Sequence, residues 1–182
     1  EFRRMDTLLV RGRMNDRDAL AGSAARAFDT GPLDDGPDSE RAWFNDLADR
    51  FVLRAGDLFA VLFWVTVLGF GAALLFVLNR AWLRRHPEHS DWARSLDIAL
   101  AWIPARLTTL ALALVGHFGM VAQAVSGRIW RLDDSRGLLT LAADAALGGD
   151  ADSDEPAFQA GVNRLEALQE LMLRALAVWL IF

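Results

Sequence analysis

The most prominent feature in the pattern of hydrophobic and polar positions along this chain is one long uncharged stretch. Residues 58–78 read LFAVLFWVTVLGFGAALLFVL and carry no charge. A helix of that length rises about 30 Å at 1.5 Å per residue, which matches the hydrocarbon core of a bilayer. The pattern therefore predicts a transmembrane helix over residues 58–78, with the lipid bilayer as the protein's first partner.

Two further apolar stretches follow. Residues 95–125 contain few polar positions, and Pro104 lies inside them. Because proline cannot donate to the carbonyl of Leu100, we expect a helix break at Pro104 and a kinked or re-entrant span. Residues 168–182 turn from amphipathic to fully apolar, which predicts a third span, cut short. We therefore expect a fragment of a longer multi-pass protein.

The remaining sequence is polar and also helical in its periodicity. We expect residues 1–56 to form a polar extramembrane segment and residues 57–182 to form a membrane domain. Within that domain, we expect residues 128–155 to form a polar connection. No segment shows the alternation of a strand. The predicted fold is an all-α, multi-pass integral membrane protein. In residues 1–56, apolar side chains four positions apart form a stripe along one face of each of two predicted helices. These stripe residues are Leu20, Ala24, Phe28, Trp43, Leu47 and Phe51.

Composition excludes several chemistries. The chain has no cysteine, and all of its basic residues are arginines, so a thiolate metal site and a catalytic lysine are excluded. His86 and His89 are too few ligands for a metal site. The net charge of −5 shows no nucleic-acid footprint. We expect no metal, no cofactor and no nucleic-acid partner, and the arginine-only usage suggests a bacterial source.

Arg106 is the most unusual charge, because it lies within an apolar stretch. An ionised side chain inside a membrane usually faces a wet cavity or a partner group. We therefore predict a polar pocket for an anionic ligand, lined by Arg106, Asp97 and Trp102 around Pro104. The alternative is an interfacial arginine that reaches the lipid headgroups.

A second candidate anion site lies near the start of the chain. Arg13, Asn15 and Asp16 form a short polar loop just before a predicted helix, whose N-terminus favours negative charge. A solvated turn is the alternative. The small residues from Gly69 to Ala73 are typical of close helix packing.

A family resemblance rests on residues 96–108. Leu96-Asp97 followed by Trp102-Ile103-Pro104-Ala105-Arg106-Leu107-Thr108 resembles a signature of the CobD/CbiB adenosylcobinamide-phosphate synthases. The chain departs from that family elsewhere. Residues 48–57 lack the synthases' Glu-Asn-Thr, and residues 79–84 lack their Asp-Ser-Met.

Other motifs are more similar to the AmpE family of inner-membrane proteins. Arg80-Ala81-Trp82 and Gly116-His117 match positions that this family shares. That resemblance implies a multi-pass protein of the bacterial inner membrane, linked to β-lactamase induction and peptidoglycan recycling. Its implied role is a non-catalytic sensor or signalling modulator with a muropeptide or nucleotide as ligand.

Two alternatives remain open. The first is an enzyme, an ATP-dependent amide-forming synthase of cobalamin biosynthesis. The second is a structural subunit that packs against a membrane-protein partner or a second copy of itself.

Overall fold

The fold is entirely helical in the part of the chain that the structure describes. The computed structural model describes residues 2–14, 16–33, 36–86, 91–131, 134–148 and 156–181. No strand occurs in these ranges, and the all-α prediction is confirmed. The helices are α1 (Phe2–Arg13), α2 (Arg17–Phe28), α3 (Pro37–Leu68), α4 (Phe70–Arg85), α5 (Asp91–Val115), α6 (Phe118–Val125), α7 (Ser135–Leu147) and α8 (Ala157–Ile181).

By length and composition, α3 and α5 are each able to cross a membrane. This agrees with a membrane protein, and the third span expected over residues 168–182 stays a prediction. The division expected after residue 56 falls inside α3. One hydrophobic core also joins residues from both predicted parts, from Met5 to Ala175.

The core confirms the helical stripes of the polar segment. All six of the stripe residues that the sequence predicts are buried. The long helices α3 and α8 run side by side in the same direction, because Phe44 contacts Phe158 near their starts and Phe59 stacks on Trp179 further along, at 6.1 Å between ring centroids. Apolar residues four positions apart thus share the buried face of their helix.

The continuous helix expected over residues 58–78 is wrong. The helix α3 ends at Leu68, Gly69 adopts φ 80° and ψ −173°, and α4 begins at Phe70. This region of backbone space is almost confined to glycine. The two helices then fold back on each other, and their inner faces bury Ala60, Trp64, Ala73 and Phe76. The small-residue patch is therefore a turn at Gly69, while Ala73 packs inside the resulting hairpin.

The helix break expected at Pro104 does not occur, whereas the kinked or re-entrant span expected over residues 95–125 stays a prediction. The helix α5 continues through Pro104, because the Trp64 indole N–H donates to the freed Leu100 carbonyl at 3.1 Å. The chain breaks instead at Gly116, whose Cβ, if present, would lie 2.7 Å from the Ala146 carbonyl oxygen of α7. The next backbone N–H, from His117, donates to that same carbonyl at 3.2 Å. Close approach of α7 thus ends α5.

Candidate functional site

A cluster of charged side chains lies at the open end of the α3–α4 hairpin, opposite the Gly69 turn. Arg80 of α4 donates from Nε to Asp97 of α5 at 2.8 Å and from Nη1 to Asp57 of α3. Arg84 approaches the second oxygen of Asp57 at 3.7 Å. We call Arg80, Asp57 and Asp97 the arginine–aspartate cluster. Arg80 links three helices and is only 11% exposed.

The turn at Gly69 explains why these groups meet. Asp57 and Arg80 flank the apolar run at similar distances from Gly69, so folding the run back at that glycine brings them together. The buried amide of Asn79 donates to the Ala93 carbonyl at 2.9 Å and holds the start of α5 against α4. Asp97 follows one helical turn later and thereby faces Arg80.

The Arg80 guanidinium also lies over an aromatic ring, with its carbon 5.0 Å from the centre of the Phe76 ring. Its charge is thus balanced by two carboxylates and one aromatic face. Ionised side chains in an apolar region are costly unless they are paired in this way. Arg80 is thus a paired, nearly buried cation at the point where α3, α4 and α5 meet.

A small cavity adjoins this cluster. Its volume is about 20 Å³, and its lining includes Asp57, Arg80, Ala101, Ser135 and Arg136. A cavity of that size has room for about one water molecule. This cavity is therefore too small for a nucleotide or a muropeptide in this conformation.

A second group of contacts forms around Arg106, on the other side of Pro104, where the guanidinium makes four hydrogen bonds. It donates to the Ile129 carbonyl at 2.9 Å, to the Ser135 hydroxyl at 2.8 Å, to the Trp102 carbonyl at 3.2 Å and to the Arg131 carbonyl. The guanidinium carbon also lies 4.7 Å from the centre of the Trp102 ring. Arg106 thus ties α5 to residues 129–131 and to the start of α7.

The predicted pocket of Arg106, Asp97 and Trp102 is only partly assembled. The structure brings Arg106 and Trp102 together, while Asp97 pairs with Arg80 instead. A ligand role for Arg106 stays a prediction. In this arrangement an anion would have to displace the acceptors that Arg106 already binds.

The predicted loop site near the N-terminus is occupied by the chain itself. Asp16 caps α2 by accepting from the Ala19 N–H at 3.0 Å, so a carboxylate already lies where an anion would bind. Arg13 forms an ion pair with Glu166 of α8, and this hydrogen-bonded partner raises the pKa of the arginine. Asn15 lies outside the described residues.

A larger cavity of about 280 Å³ lies between the end of α5, the end of α7 and the middle of α8. Its lining includes Gly116, His117, Glu170 and Arg174, and the last two form an ion pair along α8. This volume is near the lower limit of small-molecule sites. Within the ranges that the structure covers, no three histidine or acidic side chains form a group that could hold a metal ion.

Sequence reasoning missed Asp57, Asn79 and Arg80 as site residues. Asp57 and Arg80 were visible as the charges that flank the apolar run. A straight span separates such flanking charges by about 30 Å, whereas the hairpin places them in contact. The turn at Gly69 was the missing information.

Similarity to known proteins is partial. The chain is 37% identical over 81 residues to the cobalamin biosynthesis protein CobD of Chromobacterium violaceum. That match covers 41% of this chain and 24% of the CobD protein. No protein-family model matches the chain, and no solved structure shows significant similarity to it. The resemblance to the AmpE family stays a prediction, and the chain is a distant relative of CobD-type proteins.

Proposed function

We propose that this chain belongs to a protein of the bacterial inner membrane that acts as a non-catalytic sensor or signalling modulator. The arginine–aspartate cluster is its responsive element. The observation that carries this proposal is the sharing of one nearly buried cation, Arg80, between carboxylates of two other helices. Because α3, α4 and α5 meet at this one guanidinium, a ligand that competes for it would change how the three helices pack.

The ligand that suits this cluster is an anion. A phosphate or carboxylate group can replace Asp57 or Asp97 on the guanidinium fork. A muropeptide or a nucleotide carries such groups, in keeping with the AmpE-type setting of β-lactamase induction and peptidoglycan recycling. The small adjoining cavity favours a role in which ligand binding opens the cluster.

An amide-forming synthase of cobalamin biosynthesis is the second candidate. The similarity to a CobD protein over 81 residues favours it. The departures from the synthase signatures at residues 48–57 and 79–84 speak against it.

A structural subunit is the third candidate. It draws on an exposed apolar stripe along α5, which could pack against a membrane-protein partner or a second copy. The stripe consists of Ile103, Leu107, Leu110 and Leu114.

Ligand-dependent thermal stability of the full-length protein in detergent tests these candidates. We expect muropeptides or ATP to raise the melting temperature of the wild type and of Arg84→Ala, but not of Arg80→Ala. Arg84 is the matched control, since its side chain is 73% exposed and its ion pair is long.

Corrinoid phosphates as the only stabilising compounds would replace the sensor proposal with the synthase. Rescue of a cobinamide-phosphate-requiring strain by the full-length gene would do the same. Stabilisation by none of these compounds would contradict both ligand-binding candidates and leave the structural subunit.

A further inference from the structure

The outer surface of the α3–α4 hairpin is apolar around its tip. Exposed side chains surround Gly69 on both helices, and Phe70 is 83% exposed. From Leu58 to Leu78 the sequence contains no charge, and the hydroxyl of Thr66 donates to the Leu62 carbonyl at 2.9 Å. The exposed side chains at the tip are Val67, Leu68, Phe70, Leu74, Leu75, Val77 and Leu78.

This surface lacks the polar rim that usually surrounds a protein–protein interface. The charged side chains of the hairpin lie at its open end, where Arg84 and Arg85 are exposed. Trp82 is half-exposed at the same level, as is typical of aromatic residues at a membrane–water interface. An apolar tip below a basic, tryptophan-containing base fits acyl chains below anionic lipid headgroups.

The length of the hairpin limits how deeply it can enter a bilayer. Leu58–Leu68 comprises about eleven residues, which rise about 16 Å, or roughly half of the hydrocarbon core. If the tip reached the far headgroups, it would present only apolar side chains to them. The tip therefore matches the middle of the bilayer.

Backbone polarity at the turn is partly satisfied. The Gly69 N–H donates to the Val65 carbonyl at 3.1 Å, and the Gly69 carbonyl accepts from the Ala73 N–H at 3.5 Å. These bonds reduce the number of unpaired groups that the turn would carry into hydrocarbon. The end of α8 continues the apolar surface, since Trp179 packs on Phe63 and the following Leu180 is exposed.

We propose that the α3–α4 hairpin enters and leaves the bilayer through one leaflet, with Gly69 near the middle of the hydrocarbon core. The stretch 58–78 is then a re-entrant membrane anchor, and the residues before and after it lie on the same side. This inference is independent of the proposed function, because a sensor, a synthase or a structural subunit could each use such an anchor.

Single-cysteine labelling tests this topology, because the chain has no native cysteine. The three variants of the full-length protein are Ala42→Cys before the hairpin, Arg85→Cys after it and Gly71→Cys near its tip. All three positions are exposed, and a Cβ at Gly71 meets nothing within 4 Å. Sealed vesicles of both orientations are treated with a membrane-impermeant maleimide, and detergent-solubilised protein is the control for reactivity.

We expect positions 42 and 85 to be labelled from the same side, and position 71 to be protected from both sides until detergent is added. Labelling of positions 42 and 85 from opposite sides would overturn the proposal in favour of a single span. Labelling of position 71 from water would exclude insertion.

A fluorophore attached to the Gly71→Cys variant then shows whether lipid or protein covers the tip. We expect lipids with a spin label in mid-chain to quench it more strongly than lipids labelled at the headgroup. Absence of quenching by either lipid would show that a protein surface covers the tip, and would overturn the proposal.

Discussion

The Trp64 indole N–H donates to the Leu100 carbonyl at 3.1 Å, and this carbonyl is the one that Pro104 leaves without a helical donor. A side chain of α3 thus completes the hydrogen bonding of α5. The indole therefore replaces a backbone donor, which allows a proline to lie within a continuous helix.

We expect Trp64→Phe to lower the free energy of unfolding by about 0.5–1.5 kcal/mol, because it leaves the part-buried Leu100 carbonyl without this donor. In a Pro104→Ala background the backbone N–H returns to this carbonyl, so the same substitution should have a smaller effect. A double-mutant cycle of denaturant unfolding in detergent measures the difference. Equal effects in both backgrounds would contradict this account.

Arg80 should be essential to stability, whereas Arg84 should not. Arg80→Ala leaves two partly buried carboxylates without their counter-charge, and we expect it to destabilise the protein by about 3 kcal/mol. Arg84→Ala removes an exposed, long ion pair and should have an effect below about 0.5 kcal/mol.

Thermal unfolding of purified protein compares these two variants. Adding Asp57→Asn and Asp97→Asn to Arg80→Ala should recover part of the lost stability, since the uncompensated charges are removed. If the triple variant is less stable than Arg80→Ala alone, charge compensation is not the reason for the loss.

Arg106 should act chiefly through the groups that it holds in place. We expect both Arg106→Ala and Arg106→Lys to destabilise the protein by about 2 kcal/mol or more, because an ammonium group cannot reproduce the planar fork of donors. Arg174→Ala is the control, since Arg174 forms an exposed ion pair along one helix. Unchanged stability with loss of anion binding would instead support Arg106 as a ligand-binding residue.

Replacement by alanine should change the stability in opposite directions at two glycines that both lie inside helices. A Cβ at Gly161 would collide with the Phe44 ring, whereas a Cβ at Gly22 meets nothing within 4 Å. We expect Gly161→Ala to destabilise by about 1–3 kcal/mol through overpacking. Gly22→Ala should stabilise by about 0.5–1 kcal/mol, because alanine loses less backbone entropy in a helix. Melting temperatures of the two variants decide the signs.

Amphipathic periodicity predicted the parts of this fold that lie on one-sided helices. Leu20, Leu47 and Phe51 are buried as their spacing predicts. The stretch 58–78 is apolar on every face, so its periodicity contains no signal for the turn at Gly69. Length alone therefore favoured a straight span.

The candidate site was only partly predictable for a related reason. The Arg80–Asp57 pair depends on a fold-back that local sequence does not specify, and Trp64 compensates for Pro104 from a distant part of the chain. Arg106 was singled out as an unusual charge, yet three of its four hydrogen-bond acceptors come from residues 129–135. Contacts between distant segments decided each case.

On the proposed re-entrant topology, the conformation of Gly69 decides on which side of the membrane the residues after the hairpin lie. If this residue became helical, α3 and α4 would join into a rod long enough to cross the bilayer, and Arg84 would emerge on the opposite face. A substitution at position 69 that favours a helical backbone should therefore move the downstream segments to the other compartment.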